Sequence, residues 1–141
     1  MRARRVELVC GVLGGVLGLA ALAVALFAPL TRTCVGGAAG HSRDGCFYVS
    51  AVQQYGLASQ SLGIAVFSGL SLGIILFTLW HVRSQRLPAL ILLWACAILL
   101  SYLSLLGLDS VGLVFVPANL LAYAASIAGT VARRERAPAL R

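Results

Sequence analysis

Cys34 and Cys46, separated by eleven residues, are the pair in this 141-residue chain best placed to do chemistry. Gly36, Gly37, Gly40 and Gly45 stand between them and let the backbone reverse. The expected product is a structural disulfide, which for a loop of this size contributes roughly 3 kcal/mol by restricting the unfolded chain. A redox-active pair would sit closer in sequence, as in Cys-x-x-Cys, where the thiol pKa is lowered. A metal site from Cys34, His41, Asp44 and Cys46 would lack the tight pair spacing usual for zinc. The expectation is therefore no metal and no cofactor. Cys10 and Cys96 fall inside apolar runs, where a free cysteine packs as a small hydrophobe.

Other reactive groups are sparse. There is no Gly-x-Ser-x-Gly, no His-Glu-x-x-His and no phosphate loop. An enzyme is not expected. Asn119, two residues after Pro117, is the main polar residue inside an apolar run. Its amide is expected to bond across helices or to a carbonyl freed by the proline. Glu7 reads as an interfacial residue among Arg4 and Arg5, and His81 as the end of a helix beside Arg83. Transporters and proton relays hold ionisable groups at depth. The expected bundle interior carries no charge, which argues against charge-coupled transport.

The elements that must hold these residues follow from composition. Sixty per cent of the residues are hydrophobic and 11% charged, with a mean hydropathy of +0.96. A soluble domain carries about 25% charged residues and buries only about 70% of its surface at this length. A water-soluble globule and a disordered chain are both excluded. Four apolar runs, at 6–30, 57–80, 87–106 and 111–132, each meet the requirement of about 20 residues for a membrane-spanning helix. In hydrocarbon each backbone amide must bond within its own segment, so the runs are read as helices. The predicted class is an all-α integral membrane protein, an antiparallel four-helix transmembrane bundle. It is one domain, with a long external loop at 31–56 and a cytoplasmic tail at 133–141. The first run, with Ala23-Val24-Ala25, has the look of a secretory signal, but a signal core is about 7 to 15 residues. Retention as a membrane helix is expected. Phe47–Gly56 is dense in aromatic and β-branched residues, suiting a short strand or an interfacial turn carrying Tyr48 and Tyr55.

Charge orients the bundle. All eleven basic residues are arginines. Arg2, Arg4 and Arg5, Arg83 and Arg86, and Arg133, Arg134, Arg136 and Arg141 fall on one side of the predicted topology, and Arg32 and Arg43 on the other. By the positive-inside rule both termini are cytoplasmic. Because the arginines flank apolar runs, nucleic acid is not an expected partner; the bilayer is. The absence of lysine suggests a bacterial, GC-rich source. Small residues mark packing faces: Gly11, Gly14, Gly15 and Gly18 in the first helix, and Gly69 and Gly73 in the second. Such spacing lets helix backbones approach closely, within one chain or between two copies.

Four helices with both termini inside and two cysteines in a long first external loop are similar in layout to claudin-like proteins. The tryptophan-containing signature of that family is absent before the first cysteine, where the residues are Ala28-Pro29-Leu30-Thr31-Arg32-Thr33-Cys34. No functional residue carries over. The leading expectation is a non-enzymatic structural or accessory component that interacts with another membrane protein. The alternatives are a small-molecule transporter or pore acting as a homo-oligomer, and thiol–disulfide exchange through the external cysteines.

Overall fold

In a computed structural model the described residues are 2–29, 31–35, 45–106 and 112–136. They form helix α1 (Arg2–Phe27), strands β1 (Thr31–Val35) and β2 (Gly45–Val49), and helices α2 (Ala51–Ser84), α3 (Leu87–Leu106) and α4 (Val116–Arg136). A 3-10 turn, Gly112–Phe115, leads into α4. The described residues are almost entirely helical, and four helices among them are long and apolar enough to cross a membrane.

The helix ends have local causes. Ser50 caps α2: its hydroxyl accepts from the Gln53 amide at 3.2 Å, while the Gln53 side chain accepts from the Ser50 amide at 3.0 Å. This reciprocal pair satisfies two amides that the first turn leaves orphaned. It starts α2 at Ala51 rather than at 57, so the end of the 31–56 segment is helix. At the other end Gln85 adopts a left-handed conformation, φ 54° and ψ 23°, and its amide donates to the His81 carbonyl at 2.7 Å. Pro117 occupies the first turn of α4, where a missing amide proton costs nothing.

Inside α2, Gly56 has φ 75° and ψ 156°, a region essentially restricted to glycine. The helix turns there. In a straight helix Ala51 and Phe67 would lie about 24 Å apart, yet both line one small cavity. β1 and β2 form an antiparallel ladder in the segment between α1 and α2, with Cys34 opposite Cys46.

α1 makes its largest interfaces with α4 and α2. Its Cα–H surfaces at Gly11, Gly15 and Gly18 lie against α2, and Gly14 lies against the α4 backbone around Ala118 and Ala122. Partners fall in number along α2 as they rise along α1: Val82 opposes Arg4, Thr78 opposes Gly11, and Ser71 opposes Gly18. On α4 an alanine stripe, Ala118, Ala122, Ala125, Ala128 and Ala132, is buried. The core itself is built on Ile74, Leu93, Ala97, Leu100 and Phe115.

Candidate functional site: a buried polar seam

The α1–α2 seam concentrates polar groups with no exposure. Glu7, Ser71, Thr78 and His81 are each 0% exposed. On α2 the last three sit at spacings of seven and three residues, which places them on one helix face. Glu7 Oε1 lies 2.5 Å from His81 Nδ1. One turn earlier, the Arg4 guanidinium donates to the Val82 carbonyl, tying the start of α1 to the end of α2.

This overturns the expectation of an uncharged interior. Glu7 and His81 do not point outward at the ends of their helices; they face each other inside the protein. α2 continues to Ser84, so His81 is still on a regular helix and its ring is carried onto the inner face. α4 allows the approach. A Cβ added at Gly129 would stand 3.1 Å from Glu7 Oε1 and 3.0 Å from Leu90 on α3. All four helices thus meet around the carboxyl group.

The pairing leaves atoms unused. Glu7 Oε2, His81 Nε2, Arg4 Nε, Thr78 Oγ1 and Ser71 Oγ are buried with no hydrogen-bond partner. The two hydroxyls contrast with other serines and threonines of the chain. Ser68, Ser101, Ser104, Ser126 and Thr130 each donate to the carbonyl four residues earlier. Ser71 and Thr78 instead face the glycines of α1: a Cβ at Gly18 would come within 2.5 Å of Ser71 Oγ. Weak Cα–H···O contacts, which recur where helices approach closely, are the available compensation for those two oxygens.

The other residues singled out by sequence are spread through the fold. Asn119 Nδ2 donates to Ser104 Oγ at 3.1 Å, joining α4 to α3, while its Oδ1 has no partner. Gly73 packs beneath Cys96 Sγ, but Gly69 has nothing near the position of a Cβ. Cys10 and Cys96 are free thiols on different helices. Arg5, Arg83, Arg86, Arg133 and Arg134 are exposed. Arg2 and Arg136 close the ends of α1 and α4, and their side chains lie outside the described residues, as do His41, Asp44 and Arg141. Among the described residues no three of His, Cys, Asp and Glu come together as a metal site would require.

A second feature of the seam lies at the hairpin end. There Leu22, Ala25 and Leu26 of α1, Ala51, Gln60, Gly63, Ile64 and Phe67 of α2, and Phe115 line a partly open, mainly apolar cavity of about 100 Å³. Phe67 and Phe115, which line it, have ring centroids 4.7 Å apart with the planes tilted by 32°.

No known family model matches the chain, and no curated protein or solved structure is significantly similar to it.

Proposed function

We propose that the chain is an antiparallel four-helix transmembrane bundle with both termini cytoplasmic, and that it serves as a non-enzymatic accessory to another membrane protein. The observation that carries this reading is the surface of α2 near the hairpin. No residue from 51 to 70 is buried. From Leu57 to Ser84 the helix is about 42 Å long, against about 30 Å for α3. About two turns therefore exceed a hydrocarbon core of about 30 Å. Their exposed face mixes Leu57 and Leu62 with Ser59 and Ser61. Lipid alone does not call for such a mixture; a protein partner at the membrane surface does. A photo-crosslinking residue in place of Leu62 is expected to yield a discrete protein adduct in intact cells, and one in place of Leu76, in mid-helix, lipid adducts. Lipid adducts from both positions would overturn the reading.

The hairpin belongs to the same surface. Opposed residues of an antiparallel ladder have Cα atoms about 4.5 to 5.5 Å apart, inside the window for a disulfide. We infer a structural Cys34–Cys46 bridge on the non-cytoplasmic side. It predicts that alkylation before reduction leaves two of the four cysteines unmodified in cells. Cycling of the pair with cellular redox state would favour thiol exchange instead.

A transporter or pore is the second reading, and the buried Glu7–His81 pair specifically favours it, because ionisable groups inside a bundle mark substrate or proton paths. It predicts flux in proteoliposomes that Asn119→Ala weakens. No flux across a broad substrate panel would sink it.

A further inference from the structure

Glu7 and His81 have a capacity that packing alone does not use. Oε1 and Nδ1 meet, so one proton lies in the hydrogen bond between them; with a second proton on Nε2 the pair is neutral overall, whichever of Oε1 and Nδ1 carries the shared one. Each side chain keeps one further atom, Oε2 and Nε2, buried and without a partner. In the neutral pair Nε2 carries its proton, and Oε2 is the atom free to accept another. The niche admits little else, because the α4 backbone at Gly129 lies directly against the carboxyl group.

We propose that Glu7 and His81 form a buried proton-binding site, reached from the end of the bundle where α1 begins, whose uptake of a further proton loosens the seating of α1. In the resting pair one proton is shared. Uptake of another yields a neutral carboxylic acid beside an imidazolium, with no bond broken and a net gain of one positive charge. The charged groups around the site make that gain unfavourable to packing. On α1, Arg4 stands one turn away with its guanidinium on the Val82 carbonyl, and Arg5 is exposed beside it. On α2, Arg83 follows His81 by two residues and is exposed. α3 presents Leu90 and no titratable group at this level. α4 presents Gly129, followed by the exposed Arg133 and Arg134. Apart from Glu135, whose side chain lies outside the described residues, every flanking charge named here is positive, and the added proton removes the Glu7 carboxylate that offsets them. Arg4 is half-buried and lies one turn toward the terminus from Glu7, with its guanidinium on the Val82 carbonyl, so a proton entering from that end passes the first turn of α1. This inference is independent of the accessory reading, since it concerns the opposite end of α2.

The test uses the full chain in phosphatidylcholine vesicles. The sequence has two glutamates, Glu7 and Glu135. In a chain grown with ¹³C-carboxyl glutamate and carrying Glu135→Gln, any labelled carboxyl band in the infrared spectrum belongs to Glu7, without mutating the site. On acidification from about pH 8 to about pH 4, the labelled carboxylate bands are expected to give way to a carboxylic-acid C=O band. Amide exchange over residues 3–10, corrected for its intrinsic pH dependence, is expected to rise about ten-fold or more with the same midpoint. His81→Asn should move that midpoint, whereas Arg133→Gln should leave the two readouts coupled. A labelled carboxyl spectrum that does not change across this range overturns the site. A band that titrates while exchange in α1 stays constant overturns the coupling.

Discussion

The same two helices, α1 and α2, meet in opposite ways at their two ends. Toward the termini, Gly11, Gly15 and Gly18 bring the backbones close enough to bury Thr78 and Ser71, and Glu7 and His81 pair within the contact. Toward the hairpin, Leu22, Leu26 and Phe67 keep the helices apart and leave an apolar cavity. Side-chain size at the seam decides the distance, and distance decides which chemistry is tolerated. Polar atoms are buried where glycine permits contact on all sides. Where bulk prevents it, the cavity left between the helices is lined mainly by apolar groups.

The largest effect expected from breaking this contrast is at the polar end. His81→Ala leaves a carboxyl group buried without its partner, a change worth about 3 kcal/mol or more. Thermal unfolding in detergent should show it, and in combination with Glu7→Gln the loss should be clearly less than additive. Additive losses would mean that the two residues act separately. Next comes Gly15→Ala. A Cβ there would meet the Ser71 carbonyl oxygen at 2.7 Å. That oxygen is backbone and cannot swing aside, so a loss of about 1 to 3 kcal/mol is expected. If Gly15→Ala melts like the parent, close approach does not hold the seam. Gly56→Ala should cost about 1 kcal/mol or more through its strained φ and ψ, although nothing stands near its Cβ position. That loss should appear as faster amide exchange in residues 51–55 and leave the polar end untouched. Smallest of all is Gly63→Ala. It is helical and has open space around it, so a gain of up to about 1 kcal/mol is the expectation. A loss there comparable to that of Gly15→Ala would erase the distinction between the two ends.

Much of the frame can be read along the chain. Four long apolar runs require four helices once the polarity of the medium is known, because backbone amides have no other partner there. The start of α2 was also legible: Ser50 and Gln53 stand at capping-box spacing, a signal that the hydropathy of the run beginning at Leu57 concealed. Gly69 and Gly73 share one spacing rule, yet only Gly73 packs within the chain, since spacing identifies a face and not what lies across it. The alanine stripe on α4 is similarly ambiguous, because alanine suits a packed face and a lipid face equally.

Glu7 and His81 mark the boundary between the two kinds of knowledge. They are 74 positions apart, and each is near the end of an apolar run bordered by arginines. Linear distance from a run's end says how deep a residue sits, not which way it points. Sequence alone determined that the chain is built on four long apolar helices and that arginines border them, because these depend on the sums and lengths of apolar segments and on what flanks them. Only the tertiary structure decided that a carboxyl group and an imidazole share one buried niche. That depends on the rotation of each helix about its axis, which is settled by glycine contacts between helices and is not encoded in any single run.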